Sequence, residues 1–393
     1  MRVFGQGRGP DVRVDDQGEP KVSGLEVSGR GSVPAHGKAQ QFRVKGDRPF
    51  QITDGQRQVI DSSDGPRAVR RQFHAIVGQG TIGSRRCQGK TCVQQLSPAR
   101  RSITVTPMIC PVLQDEKFLA DVQKGRATSS AELHCWWLGQ SGFLIQWEGR
   151  HLLLDPYLSD SLTEKYASTD KPHRRMTERV VAPERLDFVD VVTSSHNHTD
   201  HLDRETLLPL LAANSKMELI IPEANRDFVV ERLGLPRDRP RGLEAGQSVK
   251  AAGFTIHAVP AAHNELQKDE HGRHKFLGYV VEAGPWTLYH SGDTLRYEGM
   301  VDWLKRHRID LALLPINGNR PERRVAGNLD GPEAATLAHD IGAGVVIPCH
   351  FEMFEFNTAS PDEFVKACRE MGQAFKVLRA GERWSSRVSK PAG

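Results

Sequence analysis

Residues 193–203 read TSSHNHTDHLD, three histidines and two aspartates in one short span behind the apolar run of DFVDVVTSS (187–195). In an extended segment, residues two apart project to the same side. His196 and His198 can therefore reach one metal ion together from the end of the strand. Asp200 and His201 sit one turn later, offset enough to reach a second ion beside it. Imidazole and carboxylate are donors that Zn²⁺, Mn²⁺ and Fe ions accept. Chance assembly of H-x-H-x-D-H in a chain of this composition is on the order of 10⁻³. The competing reading, surface histidines in a polar turn, needs no further partners. The metal reading does, because four side chains cannot complete two sites.

Three candidates for the missing ligands stand at ends of apolar runs: His263 in HAVPAAHNE, Asp293 in LYHSGDT and His350 in VVIPCHFE. A buried strand end is a rigid mount for a ligand. His257 lies within its strand and His290 precedes a glycine turn, so both compete for the same roles. Singly, each is an ordinary half-buried histidine. Together with the 196–201 cluster, the balance moves toward ligands.

The rest of the 393 residues divides in two. Residues 1–107 carry 18 Lys and Arg against 9 Asp and Glu, with no Trp or Tyr and only Leu25 and Leu96 as leucines. Such a stretch buries too little apolar surface to offset its chain entropy and is expected to be disordered. A basic nucleic-acid-binding arm lacks the interleaved aromatics that stack on bases. The preferred alternative is a start assigned too far upstream, with Met108 opening the protein proper. DEKFLADVQKGRA, inside the segment 108–130, is the first convincing amphipathic helix. From about 131 the chain alternates strands and helices. AELHCWWLGQ, GFLIQWEG and HLLLDPYL predict an antiparallel opening. DRETLLPLLAANS predicts a helix with Asp203 as N-cap. KMELIIP, QSVKAAGFTIHAVPAA, KFLGYVVEAG and WTLYHSGD read as strands, ANRDFVVERLG as a helix. The end repeats a strand–helix rhythm through MVDWLKRHR, IDLALLPI, DGPEAATLAHDIGA, GVVIPCH, SPDEFVKACREMG and AFKVL. Two such halves imply two sheets face to face with helices outside.

The motifs HNHTDH, the strand-end His263, SGDT and the late His350 make the chain resemble the metallo-β-lactamase superfamily over roughly 131–385. WWLGQSGFLI, LLLDPYLSDS, LLPINGN, GNLDGPEAA and VIPCHFEMF make it most similar to the L-ascorbate-6-phosphate lactonase-like group. In ligand order and spacing it is also similar to N-acylphosphatidylethanolamine-hydrolysing phospholipase D. The resemblance implies an α/β fold, the αβ/βα four-layer sandwich, over 131–393. It implies that His196, His198 and His263 hold one ion, that Asp200, His201 and His350 hold another, and that Asp293 bridges them. Asp155, closing HLLLDP, matches an aspartate that supports the site from behind. Asn319, rather than the group's usual Arg, follows PING, with Arg320 one place later, so the substrate name does not carry over.

Two adjacent divalent ions, Zn or Mn with Fe also accepted, lower the pKa of a bridging water from ~15.7 toward neutrality. The expected function is thus a metal-dependent hydrolase whose bridging hydroxide attacks a lactone or ester of a small anionic compound, phosphorylated ones included. Asp200 is placed both to ligate and to shuttle the proton. The loops STDKPHRRMTER (168–179) and NGNRPERRVAGN (317–328) supply candidate substrate contacts, Arg175, Arg320 and Asn328, since arginine forks suit phosphate or carboxylate. Their charges also read simply as solvated loops. The alternatives are a phosphodiesterase or phospholipase D-like hydrolase, an RNA-processing nuclease of the same fold, and a non-hydrolytic redox or sensing module. The net acidic catalytic region argues against nucleic acid, and no flavin or extra cysteine feature supports the last. Scattered cysteines, no long apolar run and no apolar leader suit a cytoplasmic protein without a membrane partner. A homo-oligomer is compatible with all of this.

Overall fold

The structure, a computed structural model, describes residues 108–126 and 132–386, and before them only five strands of two or three residues. These are Arg13–Val14 with Pro20–Lys21, and the antiparallel set Gln41–Arg43, Pro49–Gln51 and Ile60–Asp61. The expectations for 1–107, disorder or an upstream mis-start, otherwise lie outside the described residues.

The helix expected within 108–130 is α1, Asp115–Arg126. It has acidic residues in its first turn and basic ones in its last, matching the helix dipole. Then β1 (His134–Gly139), β2 (Gly142–Trp147) and β3 (Arg150–Leu154) form the antiparallel opening. β4 (Val191–Thr193) pairs parallel with β3 and leads into the histidine loop. After α2 (Ser161–Lys165), which precedes β4, and α3 (Arg204–Ala213), which follows it, comes β5 (Glu218–Pro222), then α4 (Arg226–Leu233) and β6 (Pro240–Leu243), both strands parallel additions. The second sheet repeats the plan. β7 (Ser248–Ala251), β8 (Phe254–Pro260), β9 (Leu277–Ala283) and β10 (Trp286–His290) meander antiparallel. After α5 (Met300–Leu304), β11 (Leu311–Pro315) joins β10 in parallel; after α6 (Gly331–Asp340), β12 (Val345–Cys349) joins β11 likewise. α7 (Asp362–Met371) and β13 (Arg383–Ser385) finish the chain, giving sheet orders β6-β5-β4-β3-β2-β1-β13 and β7-β8-β9-β10-β11-β12.

Strands buried on both faces read as continuous apolar runs, and alternation within them decides which layer each side chain joins. Trp137, Phe143 and Ile145 point between the sheets toward Ile256, Tyr279 and Leu313. Their neighbours Trp136, Leu144 and Leu153 turn outward onto Phe118 and Val122 of α1, Leu207 and Leu210 of α3 and Val229 of α4. Leu304, Ala334, Leu337, Phe364 and Cys368 bring α5, α6 and α7 onto the same core as the second sheet. The result is the expected four-layer sandwich. Both tryptophans at the chain's WW are therefore core residues: Trp137 stacks on Phe351 with centroids 4.5 Å apart, and the Trp136 Nε1–H donates to Asp121.

One expected strand fails. AFKVL forms no strand; it touches β12 only through an isolated bridge between Val346 and Phe375. The last strand is instead Arg383–Ser385, which pairs antiparallel with β1 across the whole length of the domain sequence. Asp203 does stand at the N-cap of α3, but its carboxylate accepts the hydroxyls of Ser161 and Thr206 rather than a helix N–H.

Candidate metal centre

Every residue of the cluster sits just beyond the C-terminal end of a strand. Asp155 follows β3, the 196–201 loop follows β4, His263 follows β8, Asp293 follows β10 and His350 follows β12. The two sheets are stitched together here. Leu277 N–H donates to Ser195 O at 3.0 Å, Tyr279 O–H to Ser194 O at 2.9 Å, and His350 N–H to Gln140 O at 2.9 Å. Asp155, Gln140 and His350 all have positive φ, at 39°, 49° and 61°. Non-glycine residues seldom adopt this conformation, and it concentrates where a fold over-determines its functional groups.

His196, His198 and His263 bring one donor nitrogen each to within 4.8 Å of one another. Asp200, His201, Asp293 and His350 make a second such set beside it. Asp293 faces both. Its Oδ1 is 3.3 Å from His201 Nε2, and its Oδ2 lies 3.3 Å from His350 Nε2 and 3.7 Å from His263 Nε2. Asp200 Oδ2 is 3.5 Å from His201 Nε2 and 3.6 Å from His350 Nε2. All seven ligand candidates read from the sequence converge. The two competitors do not join them: His290 is tied to Ser141 O at 2.9 Å, and His257 lies on the other side of the second sheet with Glu282 and His307.

Behind the cluster, Asp155 is fully buried. It accepts from Ser195 N at 2.9 Å, from the Ser195 hydroxyl, and from His201 Nδ1 at 2.7 Å. The His263 Nδ1–H donates to Gly327 O at 2.9 Å. With Nδ1 tied to these acceptors, the Nε2 atoms of His201 and His263 face the cluster. His196 Nε2, His201 Nε2 and Asp293 Oδ1 are buried there with no hydrogen-bond partner among the described residues. Orphaned buried polar atoms are costly unless an ion or other group satisfies them, and this donor set of imidazoles and carboxylates fits borderline divalent cations.

The electrostatics divide the cluster into two poles. Burial pushes His198 down to about 3 and His196 well below the ordinary imidazole range, and it lowers His263 as well. These three are neutral, as metal-binding imidazoles must be. At the other pole burial opposes charge, but the carboxylates win. Asp293 and Asp200 hold His201 well above its usual value and His350 up to about 9. The same pairing overcomes burial in Asp200 and Asp293 and keeps both carboxyls well below the usual range. This pole demands positive charge.

Three contributors were not read from the sequence. Gln140, in the β1–β2 turn, donates from Nε2 to Asp200 Oδ2 at 2.8 Å and lies 2.9 Å from His350 Nε2. The Ser195 hydroxyl sits between Asp155 and His196 Nδ1. Phe276 packs its ring against His196, His198 and His263 and forms an apolar wall. Only the turn GQSG hinted at the first of these.

The substrate-contact candidates are separated by the fold. The Arg175 guanidinium is spent within the structure: it binds Asp160 Oδ1 at 2.7 Å, Thr177 O at 3.1 Å and Ser159 O, and it packs over Tyr157. Asn328 is buried with its Nδ2 donated to Asn317 Oδ1. Arg320 is exposed, on the loop whose Gly327 carbonyl anchors His263. The two basic loops hold each other through Lys171 Nζ to Arg324 O at 2.6 Å and an Arg324–Asp170 ion pair.

A family profile described as "Beta-lactamase superfamily domain" matches residues 150–351, from β3 through the last member of the cluster. The chain belongs to the metallo-β-lactamase superfamily. This metal-dependent hydrolase is similar to UPF0173 metal-dependent hydrolases. That of Metallosphaera sedula is 26% identical over 251 residues, 63% of this chain and 96% of the relative. That of Myxococcus xanthus is 28% identical over 252 residues, 62% of this chain and 78% of the relative. Among solved structures, a possible metal-dependent hydrolase from Veillonella parvula superposes with a TM-score of 0.53 at 14% identity, covering 65% of the hydrolase and 99% of that chain. An isothiocyanate hydrolase from Delia radicum gut bacteria gives 0.52 at 20%, covering 64% and 98%. Both likenesses are of fold. Among the described residues of the hydrolase, no helix is long and apolar enough to cross a membrane.

Proposed function

We propose that His196, His198 and His263 hold one divalent cation and Asp200, His201 and His350 a second, with Asp293 shared, and that the protein hydrolyses a lactone or ester of a small anionic compound. One observation carries the reading: the two oxygens of a single buried carboxylate, Asp293, face the Nε2 atoms of both sets. When bound, such a pair of ions supplies Lewis acidity for a carbonyl or phosphoryl oxygen and acidifies a water toward neutral pH. The chain's own groups do the rest. Asp155 and the Gly327 carbonyl fix which imidazole nitrogens carry protons. Asp200 is the only member of its set open to solvent, with its side chain 16% exposed. We assign its carboxylate the proton transfer, with Gln140 Nε2 holding it in place.

The anionic character of the substrate is supported by Arg320, which is exposed and makes no ion pair among the described residues, unlike Arg175 and Arg324, and which lies on a loop bonded directly to His263. The lactone or ester rests on the resemblance to lactonase-like sequences. The full-length protein, loaded with Zn²⁺ or Mn²⁺, is to be screened against anionic lactones, phosphodiesters, phospholipids and an isothiocyanate. We expect turnover of an anionic lactone or ester that is lost in His198→Ala. In Arg320→Ala we expect KM to rise on the order of ten-fold with kcat little changed. Preference for an uncharged isothiocyanate, or undiminished turnover in His198→Ala, would contradict the proposal.

A further inference from the structure

We infer that His257, Glu282 and His307 form a second, separate metal site, suited to Zn²⁺ or a similar borderline divalent cation, on the outer side of the second sheet. The three side chains offer one ligand atom each, all within 4.8 Å of one another. Their placement follows from the fold. His257 in β8 is set diagonally from Glu282 in β9, whose direct partner is Thr255. Such diagonal neighbours are within reach of long side chains. Both lie on the half-buried face, because the alternate residues Ile256 and Val281 point into the core. The turn after α5 then lays His307 over this pair, with the two imidazole centroids 4.9 Å apart.

Geometry separates this cluster from an ordinary surface ion pair. His257 Nε2 is 3.1 Å from Glu282 Oε1, yet the nitrogen is buried and makes no hydrogen bond among the described residues. Two donors bound to one Zn²⁺ at ~2.0–2.1 Å with tetrahedral angles stand about 3.3 Å apart. That is close to the separation found here. Burial and the neighbouring His257 lower the His307 pKa, which favours the neutral imidazole a metal requires. The nearby Arg306 is folded onto the Trp303 ring, 4.3 Å from its centroid. Two imidazoles and one carboxylate leave a fourth position for water, and a bound ion would pin the α5 turn to the sheet. The site is separate from the hydrolase centre: His257 lies within β8 on its half-buried face, whereas His263 stands three residues beyond the strand's C-terminal end.

The test is a calorimetric titration of Zn²⁺ into the full-length protein whose hydrolase centre has been preloaded and freed of excess metal. One further equivalent should bind. His307→Ala and, independently, Glu282→Gln should weaken that binding at least ten-fold while leaving turnover unchanged. Both positions are half-exposed, so the two variants do not depend on replacing the more enclosed His257. His198→Ala should keep the extra binding. No further uptake, uptake unaffected by both substitutions, or uptake lost in His198→Ala would each overturn the site. The first two outcomes leave the proposed hydrolase centre standing.

Discussion

At the scale of single residues, the centre is governed by groups that touch no substrate. Asp155 accepts from the Thr193 hydroxyl, from the Ser195 N–H and hydroxyl, and from the Nδ1 of His201. Asp155→Asn keeps the shape but replaces one acceptor oxygen with an amide that cannot accept from that nitrogen. Losing such a support typically lowers metal affinity about 10–100-fold. We expect that loss in competitive chelator titrations, with an unchanged circular dichroism spectrum; full metal affinity in the variant would show that Asp155 merely fills space. The ligand candidates were legible because their chemistry is written in residue type and place: imidazoles and carboxylates crowded behind a strand, and others at later strand ends. Gln140, Ser195 and Phe276 were not. Their roles come from the approach of β1, β4 and β9 to one another, which no local pattern encodes. Arg175 misled for the converse reason, since nothing in PHRRMTER separates an arginine spent on backbone carbonyls from one left for a ligand.

At the scale of elements, the strand ends act as clamps, and glycine sets how closely they meet. Gly292, just after β10, has φ +59°, and a Cβ added there would lie 2.6 Å from both Cβ and Oγ of Ser195. Gly292→Ala therefore pushes Asp293 away from the histidine loop. Overpacking of this kind costs typically 1–3 kcal/mol, with added strain from the left-handed backbone. A urea midpoint lowered by that amount, together with turnover reduced well beyond it, is the expected pair of results. Stability and activity both at wild-type levels would contradict the close approach. Most elements were readable because long apolar runs alternate with amphipathic stretches. β13 escaped because three half-buried residues pair with a strand some 250 positions earlier. AFKVL looked like a strand but forms only a single bridge to β12.

At the scale of the whole molecule, the sandwich keeps several buried histidines neutral, which ties stability to pH. His151 in β3 is fully buried and accepts from Gln146 Nε2 at 2.8 Å; burial, reinforced by Arg126, pushes it down to about 3. Its folded pKa lies below the unfolded value of about 6.5, so the unfolded chain binds the proton more tightly. Its contribution is complete above pH 6.5 and is lost as pH falls, by about 1.4 kcal/mol per unit until about pH 3. Denaturation midpoints measured from pH 7 to 5 should fall less steeply in His151→Gln, and an unchanged slope would remove His151 as a source. Larger in consequence is the convergence of seven side chains from four strand ends, with the buried Asp293 carboxylate between the two sets. A crystal of the full-length protein grown with Zn²⁺, with an anomalous map collected at the zinc edge, tests this most directly. Two peaks should stand about 2.0–2.2 Å from their donors, one on His196, His198 and His263, the other on Asp200, His201 and His350, with Asp293 touching both. An empty map at these residues, or zinc bound away from them, would contradict the account.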